Sequence, residues 1–374
     1  MYSMDFSGIG SFESCLDDFP GTFVNPSSPM FHGVNWSNGF SNGNPRFDFE
    51  ATSNVGNPSN IVITMAMTEH GSELLQELLS LKDSRISNRI FNMVFEFIFE
   101  LMIHQFGRYF FQKLIESVDE NRLQMIMEKL TVPENHIYHA SLHKYGNFSV
   151  KKLITTLKRS PLITYVIKAF SNKFEKLMTD PTGRYMIMEC LEVLDSRTND
   201  LLYVRAMERC LELSRHEQGV VSMNACIARI KGPRRDQLLD WICYNVRFLA
   251  QDPTGNYVVQ YVIGLNNPGI NDQIFSLLDG LYVKLSMAKT GSHLVEQCLR
   301  LSGMNRVINE FLASNRLVFV AKDRYGNYVI QTALKESKKR NGRIHASLIM
   351  KLEEHLGCLR HGYGRNIRTL IQSL

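Results

Sequence analysis

The sequence predicts an all-α protein built as an α-solenoid of eight helical repeats, and three observations carry that expectation. A glycine followed by a short helical word recurs along the chain, the apolar residues of each word fall on one stripe, and further amphipathic segments separate the words. The words are Gly71-SELLQ, Gly107-RYFFQ, Gly146-NFSVK, Gly183-RYMIM, Gly219-VVSMN, Gly255-NYVVQ, Gly291-SHLVE, Gly326-NYVIQ and Gly364-RNIRT, at intervals of 36, 39, 37, 36, 36, 36, 35 and 38 residues. Positions two, three, six and seven after a word's first residue are nearly always apolar, as in Val258, Val259, Val262 and Ile263, or Leu294, Val295, Cys298 and Leu299. That spacing is one face of an α-helix. The leading glycine allows a sharp entry and close packing of the preceding backbone. The intervening segments, such as 87–103 and 235–250, complete units of two or three helices. None of these can bury its apolar face alone, so stacking must supply the partner.

Taken in chain order, residues 1–60 come first and do not repeat. They are rich in Asn, Ser, Gly and Pro, and no helical or strand period survives for ten residues, which predicts a disordered tail. The tail holds one basic and six acidic residues. Because the whole chain has 42 basic and 37 acidic residues, the region from 61 onward carries a net charge of +10. A basic folded region suits a polyanionic partner. Cys190, Cys226 and Cys298 share one register position with Leu114, Leu153 and Val262, which assigns them to the core and not to metal or catalysis. Histidines 104, 143, 216 and 361 lie just upstream of the glycines, as does His70 beside Gly71, which suggests a role at the turn. A basic run at 335–343 reads as a mobile loop in the eighth unit. No C-x-x-C pair, P-loop, G-x-S-x-G or H-E-x-x-H is present, and no run of eighteen apolar residues. Enzyme, metal-site and membrane classes are therefore disfavoured, and no cofactor is expected.

With the stripe facing inward, the first, second and fifth residues of each word are expected to project together on the opposite side. In the sixth to eighth words these are Asn256, Tyr257, Gln260; Ser292, His293, Glu296; and Asn327, Tyr328, Gln331. Two hydrogen-bonding side chains beside one ring suit a nucleobase, the polar pair meeting its edge and the ring its face. Asn with Gln suits uracil, and Ser with Glu suits guanine.

In these triplets and the period of about 36, residues 61–374 resemble the Pumilio (PUF) family. The resemblance implies a right-handed superhelix of eight Pumilio-type repeats plus a C-terminal capping half-repeat at Gly364. It also implies a monomer that binds single-stranded RNA, with repeats eight, seven and six reading a 5′-UGU-3′ core in messenger RNA 3′ untranslated regions. Regulation of translation or stability in the cytoplasm, or in the nucleus, would follow, with protein co-regulators on the convex face. Ribosomal RNA processing and a protein-binding scaffold are the alternatives. The remaining repeats offer Ser72 and Gln76; Arg108, Tyr109 and Gln112; Asn147, Phe148 and Lys151; and Arg184 and Tyr185. They depart from the pattern at Glu73, Arg108, Lys151, Arg184, Met188 and the Val220, Val221, Asn224 set. Between Asn60 and Gly71 there is little room for the helices that would precede the first word.

Overall fold

The computed structural model describes residues 58–132 and 134–373. Of the tail expected over residues 1–60, nearly all lies outside the described residues. Residues 58–60 instead belong to a helix, Pro58–Ala66. This corrects the boundary and places a helix directly before the first word.

Among the described residues all regular structure is helical. Each full repeat is an outer helix, a short helix and a word helix. In the sixth these are Pro233–Tyr244, Val246–Leu249 and Asn256–Gly264; in the seventh, Pro268–Leu277, Tyr282–Ser286 and Gly291–Arg300. Local chemistry sets the boundaries. Asp83, Asp119, Asn267 and Asn341 each accept a backbone N–H two or three residues on and so start outer helices, a cap typically contributing about 1 kcal/mol. Pro233 and Pro268 open theirs with a pre-set φ and no N–H to satisfy.

Word helices stack on word helices from Glu69–Ser80 through Gly107–Ser117 and onward to Gly326–Arg340 and Gly364–Gln372. Outer helices form a parallel file over most of the same length. The stripe residues supply the core between the files: Val258, Val259, Val262, Ile263, Leu294, Val295, Cys298 and Leu299 are fully buried, as are Cys190 and Cys226. The last helix covers the end of the stack, the place expected for the capping half-repeat. The basic run at 335–343 is not a loop. The word helix continues through it to Arg340, and the next helix begins at Gly342. Arg340 donates to the carbonyls of Leu299, Arg300 and Leu301, satisfying the C-terminal end of the neighbouring word helix, and this holds the run helical.

The repeat glycine is a contact residue. A Cβ on Gly146 would lie 2.5 Å from the carbonyl oxygen of Ala140, six residues upstream, and the same carbonyl crowds Gly71, Gly219, Gly291 and Gly326. A Cβ on Gly342 would meet nothing within 4 Å. Gly146→Ala is therefore expected to lower stability by about 1–3 kcal/mol, as overpacking against an immovable backbone does. Gly342→Ala should leave stability unchanged or slightly raised. Thermal melts of the two variants check this, and equal melting would remove the glycine's packing role.

Candidate nucleic-acid interface

Among the described residues seven of the nine word helices begin on the same turn; the seventh word has Ala288 at the capping position and the last shows no side-chain cap. In the others, three residues before the glycine, a side chain accepts the backbone N–H of the glycine, and except at Thr68 that of the residue before it as well. The acceptor is Thr68 Oγ1; the Oδ1 of Asp180, Asp252 or Asp323; or the Nδ1 of His104, His143 or His216. Three of the upstream histidines thus hold the turn, and the aspartates and threonine at the same register do so elsewhere. The recurrence was present in the sequence but was obscured by the change of residue type.

Protonation would convert a histidine Nδ1 from acceptor to donor and break both bonds. Burial holds the His104 imidazole below its ordinary value of 6.5. A histidine depressed on folding contributes stability that is fully present above the unfolded value and is lost as pH falls below it. Acidification below about 6.5 should therefore weaken the second repeat. The His104→Asp variant, carrying the acceptor used at Asp180 and Asp252, should lose less on going from pH 7.5 to 5.5. Parallel melting losses in both proteins would refute the cap's role.

The second residue of each full word is exposed: Tyr109, Phe148, Tyr185, Val221, Tyr257, His293 and Tyr328 form one file, with Glu73 at its start. The first residue departs from expectation. Ser72, Asn256, Ser292 and Asn327 are buried and do not project beside the ring. Side chains lean toward the N-terminus of a helix, so a residue at its start covers the turn beneath it.

This burial fixes the groups that remain accessible. Asn256 Nδ2 donates to the carbonyls of Asp252 (3.0 Å) and Pro253 (2.8 Å), and its Oδ1 accepts from Gln260 Nε2 at 2.6 Å. Asn327 donates to Asp323 and Arg324 and accepts from Gln331 at 3.0 Å. Each glutamine amide is locked, leaving Oε1 as an acceptor and one Nε2 hydrogen as a donor. At the same station of the seventh repeat, Glu296 is acceptor-only. Its Oε2 is held by Arg300 (2.8 Å) and by Thr332 of the eighth repeat (3.1 Å). Arg300 and Thr332 were not foreseen from the sequence. Arg300 sits one turn beyond Glu296, a legible i,i+4 signal, whereas Thr332 comes from the next repeat.

The other repeats are less regular. Gln76 donates to Ser72, whose hydroxyl donates to Phe106 O in the second repeat. Arg108 lies over the Tyr109 ring, and Arg184 over Tyr185. Asn147 is half-buried beside the exposed Phe148. Lys151 pairs with Glu189 of the fourth repeat at 3.1 Å, so its charge is already partnered. Met188 and Val220 are buried and carry no edge chemistry. Among the described residues no group of His, Cys, Asp or Glu could hold a metal ion, and no helix is long and apolar enough to cross a membrane.

The model of the Pumilio-family RNA binding repeat matches residues 97–131, 136–158, 245–278, 282–307 and 316–339, in register with these words. The chain belongs to the Pumilio family. It is 34% identical over 83% of its length to Pumilio homolog 12 of Arabidopsis thaliana, covering 52% of that protein. It is also 31% identical over 79% of its length to the putative pumilio homolog 8, chloroplastic, of the same plant, covering 57%. The chain thus spans about half the length of these curated relatives. Among solved structures it resembles the Puf4 RNA binding domain bound to an HO endonuclease RNA 3′ UTR recognition sequence. The TM-score is 0.66 and the identity 27%, over 81% of this chain and 96% of that one. Yeast Puf5p bound to AAT2 RNA, at TM-score 0.67 and 19% identity, shares the solenoid fold, covering 83% of this chain and 96% of that one.

Proposed function

We propose that this Pumilio protein binds single-stranded RNA containing a 5′-UGU-3′ core, read antiparallel to the chain by repeats eight, seven and six. The observation that carries the reading is the order of accessible edge groups on three adjacent helices: a locked glutamine, a clamped carboxylate and a locked glutamine, each beside an exposed Tyr or His. Uracil presents one N–H donor flanked by carbonyl acceptors, which complements the Oε1 and Nε2–H of Gln331 or Gln260. Guanine presents two adjacent donors, N1–H and N2–H, which complement the Glu296 carboxylate. The rings supply a stacking face for each base.

The natural target on this reading lies in the 3′ untranslated region of messenger RNA, as the Puf4 complex suggests for a similar protein. Binding there lowers translation or message stability in the cytoplasm. Co-regulators would use the outer helices, away from the rings. Selection of bound RNA from a random pool by the full chain tests the proposal. Enrichment of UGU supports it, and enrichment of a motif lacking UGU, or of none, overturns it.

A further inference from the structure

The gap between the exposed rings of the second and third repeats is already filled. The Arg108 guanidinium carbon lies 4.3 Å from the Tyr109 ring centroid and 4.6 Å from that of Phe148, with Tyr145 at 5.6 Å. Its Nε donates to Gln105 O at 3.2 Å and its Nη2 to the Tyr109 hydroxyl at 2.5 Å. The guanidinium thus lies against both rings at once, a planar cation offered to each aromatic face. The cause lies in side-chain length. At the same register Ser72, Asn256, Ser292 and Asn327 are short enough to fold down over their own turn, whereas three methylenes carry the arginine head out between the helices. Among the described residues no cation is stacked over Tyr257, His293 or Tyr328. Arg184 lies over Tyr185 alone, since the next repeat offers Val221 in place of a ring.

A second consequence falls on Gln112. No asparagine oxygen stands beneath it, and among the described residues no hydrogen bond fixes its amide, in contrast to Gln260 and Gln331. An unlocked amide turns to suit either arrangement of donor and acceptor and so discriminates nothing.

We propose that Arg108 occupies the base slot between the second and third repeats, so that the nucleotide facing the second repeat is bound without regard to its base. This rests on the base-per-repeat reading above. On that reading the nucleotide in question is the seventh, counting from the uracil at the eighth repeat.

The test uses the full chain, four strands that share UGU and differ only as A, C, G or U at the seventh position, and one strand with ACA in place of UGU. The wild type should bind the four UGU strands within about twofold of one another. Arg108→Asn recreates the Asn-Tyr-x-x-Gln set of the sixth and eighth repeats and should prefer uracil at the seventh position by about tenfold, the scale of one good base contact. Arg108→Ala empties the slot without locking Gln112 and should raise affinity for all four alike. Melting curves establish that both variants are folded. Discrimination at the seventh position by the wild type overturns the inference. So does an Arg108→Asn protein that stays indifferent there while still preferring UGU to ACA. Loss of the UGU preference in the wild type itself overturns the underlying reading and the inference with it.

Discussion

The full chain is expected to bind a UGU strand on the order of 100-fold more tightly than the same strand carrying ACA. Each substitution changes an edge. Cytosine in place of guanine sets a ring nitrogen acceptor, N3, beside the Glu296 carboxylate, so like partial charges meet where two donors had been. Adenine in place of either uracil keeps one donor and one acceptor but on a larger purine edge, which moves them away from the fixed Oε1 and Nε2–H of Gln331 and Gln260. A good bidentate contact contributes about 1–3 kcal/mol of discrimination, so three altered positions amount to a few kcal/mol. The phosphates and rings are common to both strands, so the comparison must be made at one salt concentration, where the backbone contribution cancels. Equal affinity in a titration would mean that only the sugar-phosphate backbone is bound, and the edge assignment would fall.

The stack and the ring file were legible in the sequence because both depend on position alone. A glycine every 36 residues or so, with apolar residues at fixed offsets behind it, defines which side of each helix is buried, and the second residue of each word is left outside. What was not legible depends on the direction and reach of side chains. Asn256 and Asn327 look like base readers on a helical wheel. Their place at the helix start turns them onto the preceding carbonyls, where they fix a glutamine and do not stand free beside it. The clamp on Glu296 is half legible, since Arg300 follows on the same face, but Thr332 arrives from 36 residues away. Arg108 departs from the uracil pattern in plain view. That its head enters the gap beside Phe148, forty positions on, is a property of neighbouring helices and of a long flexible chain.

Ser292→Asn combined with Glu296→Gln should convert the preferred core from UGU to UUU. Ser292 is buried, so the change must be accommodated and not merely exposed to solvent. The backbone there already repeats the arrangement beneath Asn256. The Ser292 amide donates to Ala288 O at 2.9 Å and the hydroxyl to Lys289 O, the two carbonyls that stand where Asp252 and Pro253 receive the Asn256 amide. The introduced asparagine finds the same two acceptors and offers its oxygen to the introduced glutamine, which is then locked as Gln260 is. Loss of the Glu296–Arg300 pair removes an i,i+4 ion pair whose arginine is largely exposed, a change of roughly 0.3–0.5 kcal/mol at most. The fold should therefore survive with stability altered by less than about 1 kcal/mol. Binding should change more, because guanine's donors lose their carboxylate, which typically costs about 1–3 kcal/mol, while uracil gains a matched donor and acceptor. Wild type and double variant, each titrated with UGU and UUU strands, give four affinities. A reversal of ranking supports the one-base-per-repeat mechanism. A double variant that weakens on both strands yet keeps the wild-type ranking would place Ser292 and Glu296 against the RNA backbone, and the edge-reading role of the seventh repeat would be withdrawn.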